Sequence, residues 1–182
     1  IATNTSFRMN QTTAVDTNAV LDFSGSHGFT FAGTTLTLEM AETEGGLIEA
    51  QSDLDLDVFG LVTLNGTFAF KKANGTFSLA ADETDNFTAD YLAISGTVNS
   101  AFIGVDDLGL TLTTVNFGVL LVTDDQGDVD AANDISYSAV TATIGSATFA
   151  GIPGLTAIAT NTSFRMNQTT AVDTNAVLDF SG

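Results

Sequence analysis

The stretch LGLTLTTVNFGVLLV, residues Leu108–Val122, decides the fold class, because apolar residues alternate in it with small or polar ones. Such a period of two is typical of a half-buried β-strand. The same alternation recurs in Phe29–Met40, Asp53–Phe70 and Tyr137–Gly151. No stretch combines a helical period with capping residues. The sequence therefore predicts an all-β protein with about a dozen strands in each repeat unit.

Turn signals separate these runs. Asn-Gly, Gly-Gly and similar pairs favour turns that need a positive φ or a side-chain cap. We expect turns at Glu44-Gly45-Gly46, Asn65-Gly66, Asn74-Gly75, Ser95-Gly96, Gln126-Gly127 and Pro153-Gly154.

An identical repeat links the two ends of the sequence. Residues Ile1–Gly25 read IATNTSFRMNQTTAVDTNAVLDFSG, and Ile158–Gly182 read the same letters. Residues 1–157 therefore form one tandem unit, and residues 158–182 begin the next. A fainter echo places Leu21–Glu39 over Val62–Ala80, which indicates modules of roughly 40 residues, four to a unit. We expect the chain to belong to a longer array.

Two architectures fit such an array. In the favoured one, strands continue along the array as a β-solenoid or an elongated β-rod, and each module is buried by its neighbours. In the alternative, each unit is a closed Ig-like β-sandwich joined to the next like a bead. Beads normally need linkers, and the chain has a single proline and no Ser/Gly-rich spacer.

The charge is strongly one-sided, with 22 acidic residues, 4 basic residues and a formal net charge of −18. So few cations argue against nucleic-acid binding, because little could displace the counterions of phosphates. No apolar run approaches the roughly 18 residues of a membrane-spanning helix, so we expect no membrane insertion. An acidic polymer should be soluble, self-repelling and sensitive to salt. A salty habitat would explain the same balance.

The acidic loop TDDQGDVDAAND is the leading candidate for a metal site. Short loops rich in Asp and Asn supply the oxygen ligands that Ca²⁺ prefers, although the spacing is not that of an EF-hand. The alternative is an exposed acidic hairpin loop without metal. The predicted ligands are Asp124, Asp125, Asp128, Asp130 and Asp134. A second acidic run, Asp53, Asp55 and Asp57, alternates with Leu and is more simply solvated on one strand face.

Asn-x-Ser/Thr sequons form a second candidate signal. They mark glycosylation acceptors in secreted proteins, although Asn-Gly-Thr also suits a turn that leads into a strand. The candidate sites are Asn4, Asn10, Asn65, Asn74 and Asn86, with Asn161 and Asn167 as repeated copies.

The remaining polar residues do not indicate catalysis. His27 is the only histidine, and the chain has no cysteine, so the usual zinc sites cannot form. Lys71 and Lys72 are most simply solvated at a hairpin end, and bridging to an acidic neighbouring chain is the alternative. We expect no enzyme activity and no resident cofactor other than Ca²⁺.

The segments Val58–Lys72, Leu92–Leu112 and Thr123–Ala139 resemble, in texture, the tandem-repeat units of giant prokaryotic β-strand-repeat surface proteins, of the large repetitive adhesin or extracellular-filament kind. The resemblance implies a secreted polymer on the surface of a bacterium or archaeon. Its partners would be neighbouring units and other copies of itself. The leading hypothesis is a structural unit of a filament or fibre, and the alternative is the extender stalk of an adhesin, rigidified by calcium.

Overall fold

The computed structural model describes residues 1–13, 19–25, 27–80, 82–127, 130–172 and 176–180. These ranges confirm the all-β class. Apart from one short 3₁₀ helix at Glu42–Glu44, the elements are strands. They are β1 (Ala2–Asn10), β2 (His27–Phe31), β3 (Thr34–Leu38), β4 (Leu47–Val58), β5 (Val62–Leu79), β6 (Asp82–Val105), β7 (Leu108–Asp124), β8 (Ile135–Ile152) and β9 (Leu155–Thr169).

Seven of these strands form one open antiparallel sheet. Strands β4 to β9 follow one another as a meander, and β1 pairs with β4, which gives the order β1-β4-β5-β6-β7-β8-β9. Strands β2 and β3 form a separate hairpin. The ladder is therefore antiparallel, and the described residues form an extended single layer rather than a sandwich of two sheets. No helix in the described ranges has the length and apolar character needed to cross a membrane.

The strands are fewer and longer than predicted, because three predicted turns are wrong. Asn65-Gly66 and Asn74-Gly75 lie inside β5, and Ser95-Gly96 lies inside β6. Strand β6 runs for 24 residues, or about 80 Å at the usual rise.

Close packing explains two of these glycines. A Cβ on Gly66 would lie 2.4 Å from the carbonyl oxygen of Thr97, and a Cβ on Gly96 would lie 2.6 Å from the ring of Phe117. Glycine is thus needed where a neighbouring backbone or ring approaches the strand, in addition to its use in turns.

A line of backbone irregularities crosses the sheet. Four residues lie side by side on β6 to β9, and each falls between two paired positions without being paired itself. They are Asn99, Thr114, Gly145 and Asn161. Thr114 and Asn161 have φ values of 54° and 51°, and Asn4 of β1, the repeat counterpart of Asn161, has 51°. Such left-handed residues interrupt the alternation of side chains.

The apolar pattern changes phase at this line. In β7, Leu110 and Leu112 precede the break, and Phe117 and Val119 follow it, so the apolar positions shift from even to odd numbers. The β4–β5 ladder has no such interruption, so its register identifies the face from which each residue of the neighbouring strands projects. By this register, Leu110 and Leu112 project from the same side of the sheet as Phe117 and Val119. The phase change therefore keeps the large apolar side chains on both sides of the line on one face, which also carries Lys72 and Asp90.

We call this side, which carries Leu54, Leu56 and Val58 of β4, the open face. Large side chains on it are between 36% and 62% exposed: Phe7, Met9, Leu56, Phe70, Ile94, Ile103, Leu110, Leu121 and Phe164. The opposite side, which carries Asp53, Asp55 and Asp57, is the strap face.

Most of the buried residues lie at one end of the strap face. Residues 176–180, which we call the strap, follow β9 and reach β5, where Leu178 forms a bridge with Leu79. Leu178 is 2% exposed and packs with Ala89, Val122 and Tyr137. Met40, Leu47 and Ala73 form a second small cluster beside it. Within the described residues, the core of one chain therefore consists of these two patches and of Val98, which is 6% exposed on the open face.

The break line generates a first prediction. Replacing Thr114 by Gly should raise the free energy of unfolding by about 1 kcal/mol, because a β-branched residue is strained at positive φ and glycine is not. Urea denaturation of Thr113→Gly provides the control, since that neighbour should lose about 0.5–1 kcal/mol. Equal destabilisation by both changes would contradict a left-handed residue at position 114.

Candidate functional site

An ion-pair cluster joins the edge strand β1 to the rest of the sheet. The guanidinium of Arg8 donates from Nε and Nη2 to the two carboxylate oxygens of Glu49 at 3.2 and 3.0 Å. It also lies 3.3 Å from Glu44, and Nη1 donates to the carbonyl of Glu39. Lys71 approaches Glu44 at 3.6 Å. The bond to Glu49 and the charges of both carboxylates raise the pKa of Arg8, so the guanidinium stays protonated.

Register and local structure assemble this cluster. Arg8, Glu49 and Lys71 lie opposite one another on β1, β4 and β5. Glu44 ends the 3₁₀ helix, where its side chain accepts the backbone N–H of Ala41. Lys71 is thus half-buried inside β5, and its prediction as a solvated hairpin end is wrong. Neither Arg8 nor its partners stood out in the sequence, although Arg8 belongs to the identical repeat.

A second polar contact involves the first of the three alternating carboxylates. Asp53 accepts the side-chain amide of Asn4 at 2.6 Å and the hydroxyl of Thr67 at 2.5 Å, so it links β1 and β5 across β4. These bonds lower its pKa, chiefly the one from Asn4. Asp57 caps the next turn by accepting the N–H of Gly60. The three carboxylates share one face, and those of Asp53 and Asp57 make different local contacts.

The acidic loop uses its carboxylates to hold its own backbone. Asp124, Asp125 and Asp130 each accept an N–H two residues further on, from Gln126, Gly127 and Ala132. These are Asx turns. Asp134 directly precedes β8, and Asp128 lies outside the described residues. Within the described ranges, no three His, Cys, Asp or Glu side chains come together as a metal site. Calcium binding stays a prediction.

The sequons lie in strands rather than in turns. Asn4, Asn65 and Asn86 are exposed, whereas Asn74 is partly buried. Asn10 is 6% exposed, and its amide donates to the carbonyl of Leu21 at 2.7 Å. Because Asn10 is buried, the exposed sequons are the more accessible acceptors. Glycosylation itself stays a prediction.

His27 begins β2, and its side chain lies outside the described part of the chain. A shallow groove of about 630 Å³ follows the strap face from β6 to β9. Its lining is mostly small and apolar, including Ala93, Leu120 and Ala139, with Phe180 and Arg165 at the rim. Among the described residues, its polar side chains are those of Ser95, Thr141, Arg165 and Asn167, and apolar surface predominates in the lining.

Comparisons with known proteins leave function open. The chain matches no protein-family model, and comparisons with curated proteins and with solved structures give no match.

Arg8 generates a second prediction, because the repeat supplies its own control. Replacing Arg8 by Ala should lower the free energy of unfolding by about 1 kcal/mol, since it removes charge-assisted bonds to Glu44 and Glu49. Arg165, the repeat counterpart of Arg8, is exposed and has no ion pair within the described residues. Chemical denaturation of Arg165→Ala should therefore show a smaller loss, and equal losses would argue against the cluster.

Asp53 generates a third prediction, on pH. Because its pKa is lower in the folded chain than in the unfolded chain, its contribution to stability is present above the unfolded pKa of about 3.9. That contribution disappears as the pH falls through the folded pKa. Asp53→Asn should therefore flatten the decline of unfolding free energy below about pH 4. Chemical denaturation across this pH range measures the effect. An equally flattened decline in Asp55→Asn would contradict the contact of Asp53 with Asn4 and Thr67.

Proposed function

We propose that this chain is a structural repeat unit of a homopolymeric extracellular fibre, in which sheets of different copies pack together through their open faces. The exposed apolar face is the observation that carries the proposal. A folded protein normally buries such a face against a second layer, and a contiguous patch of this kind usually marks an interaction site.

The surface area supports a large interface. The chain exposes 11723 Å², whereas a compact protein of its mass exposes about 8,300 Å². The excess, about 3,400 Å² per chain, exceeds the roughly 1,000–2,500 Å² that each partner of an obligate complex buries, so it leaves room for a large interface. A second copy is the favoured occupant because it presents an equally large apolar sheet, and isologous pairing is the commonest form of assembly.

The distribution of charge favours the same pairing. Asp53, Asp55 and Asp57 project from the strap face, and Asp106 and Asp107 lie in the turn between β6 and β7. Two open faces can therefore approach each other without bringing these carboxylates between the layers. The open face itself carries one carboxylate and one ammonium group within the described ladders, those of Asp90 and Lys72. Screening by salt should ease the remaining repulsion between whole chains.

The role in this proposal is architectural rather than catalytic. Backbone ladders would supply stiffness along the fibre, and the apolar face would supply lateral cohesion. The extracellular location rests on the sequence texture, which resembles that of giant prokaryotic surface proteins. An adhesin stalk shares this texture but would remain a single chain.

The proposal predicts that Ile103→Glu disrupts association. Ile103 is 56% exposed on the open face, in the central strand β6. A carboxylate there would be desolvated without a partner, so the dissociation constant between copies should rise at least about tenfold. Sedimentation equilibrium of the 182-residue chain measures it.

Ser100→Glu is the matched control. Ser100 is exposed in the same strand and projects from the strap face, opposite Asn65 and Thr113. It adds the same charge and should leave association nearly unchanged. A wild-type chain that stays monomeric up to its solubility limit would overturn the fibre proposal and leave the adhesin stalk.

A further inference from the structure

The two copies of the repeated segment occupy the two edges of the sheet. Strand β1 contains Ala2–Asn10, and β9 contains the identical Ala159–Asn167. Both copies also make the same local contact, because Asn10 donates to the carbonyl of Leu21 at 2.7 Å and Asn167 to that of Leu178 at 2.8 Å. The same residues thus form an edge strand twice, once on the β4 side and once on the β8 side.

The first copy directs one set of backbone groups towards β4. The N–H of Asp55 donates to the carbonyl of Ile1, so Asp55 faces β1. Alternate residues of β4 face the same edge, and Gln51, Glu49 and Leu47 are among them. Their register partners are Ser6, Arg8 and Asn10.

The second copy directs the complementary set towards β8. The N–H of Thr170 donates to the carbonyl of Ser136, so Ser136 faces β9. By the same alternation, the backbones of Phe164 and Met166 face β8 through Ala142 and Val140. The groups of Ser163, Arg165 and Asn167 are left at the outer edge, and these are the counterparts of Ser6, Arg8 and Asn10.

Side chains divide in the same complementary way. Arg8 binds Glu44 and Glu49, whereas exposed Arg165 has no ion pair within the described residues. Phe23 packs on the cluster of Met40, Leu47 and Ala73, whereas its counterpart Phe180 is 62% exposed.

At one position of the strap it is the second copy that is buried and the first that is exposed. Leu178 is 2% exposed over the core of this unit, whereas its counterpart Leu21 is 69% exposed. The first copy makes contacts with β4 and the cluster of Met40, and the second copy makes contacts with β8 and the core of Leu178. Each copy therefore makes the contacts that the other does not make. A segment placed between two units would make both sets of contacts at once.

We propose that the strand Ala159–Asn167 is shared by successive units, so that its outer edge pairs with β4 of the next copy and the sheet continues through the array without an end. The partner is a second copy of the unit, held by Ser163, Arg165 and Asn167 as β4 is held by Ser6, Arg8 and Asn10. The inference names the longitudinal joint of the proposed fibre and rests on that proposal for its context.

Amide exchange in a chain of two consecutive units tests the joint. Segmental ¹⁵N labelling separates the junction strand from its identical copies, and dilute solution prevents association. The amides of Ser163, Arg165 and Asn167 should exchange at least about 100-fold more slowly in the two-unit chain than in the 182-residue chain. Phe164 and Met166 provide the internal control, because their amides face β8 and should be protected in both chains.

A cysteine pair offers a second measurement, made clean by the absence of native cysteine. Phe7 lies opposite Ala50 in the register, so Phe7→Cys with Ala50→Cys should form a disulfide within one unit. In the two-unit chain, Phe164→Cys should link to the equivalent replacement at the second unit's copy of Ala50. In the 182-residue chain, Phe164→Cys with Ala50→Cys should leave two free thiols, because four strands separate β9 from β4.

The outcomes separate the joint from the fibre. Rapid exchange at Ser163, Arg165 and Asn167 in both chains, with no cross-link in the two-unit chain, would overturn the shared strand. That result would leave lateral association through Ile103 untouched. Slow exchange and cross-linking would support the joint even if Ile103→Glu had no effect on association, in which case lateral packing would be the part that fails.

Discussion

A β-strand directs backbone donors and acceptors to both of its edges, so every strand of a single-layer sheet needs a neighbour on either side. Five of the seven strands here have two neighbours, and β1 and β9 have one each. Natural proteins usually protect such edges, because an open ladder recruits other strands. In this chain the two edge strands have one sequence, and the residues whose backbone groups pair with β4 at one edge are those left outermost at the other edge. The proposed shared strand would use this open edge as the joint between units.

The same constraint explains why the individual chain buries so little. A closed domain gathers its apolar residues around one core, whereas this sheet spreads them over an entire face. Among the described residues, Leu47, Val122 and Leu178 are its most deeply buried large side chains. Leu178 belongs to the strap and packs with Val122, whereas Leu47 packs with Met40 and Ala73. Long antiparallel ladders can supply order along the array, but only a second layer can remove the open face from water.

The sequence predicted the all-β class correctly because the class depends on local pattern. Alternation in Leu108–Val122 is visible without knowledge of any partner. Strand length was underestimated because Asn65-Gly66 has the composition of a turn, whereas the role of Gly66 depends on Thr97 of the neighbouring strand. The importance of Arg8 was equally hidden, since Glu44 and Glu49 lie far from it along the chain and become its neighbours only when β1 pairs with β4.

The break line combines both kinds of information. Its phase change can be read from Leu112, Thr113, Thr114 and Val115, where two polar residues separate two alternating runs of different parity. Its alignment across four strands depends on the register. Since a shift of one residue would otherwise exchange the faces, a break in one strand requires a matching break in its neighbour or a bulge between them. Asn4 and Asn161 occupy the same position of the repeated segment and represent these two cases. Asn4 of β1 lies in a bulge beside the unbroken β4, whereas Asn161 of β9 lies beside the matching break in β8. A segment that fits two different neighbours is the property that a shared strand between successive units requires.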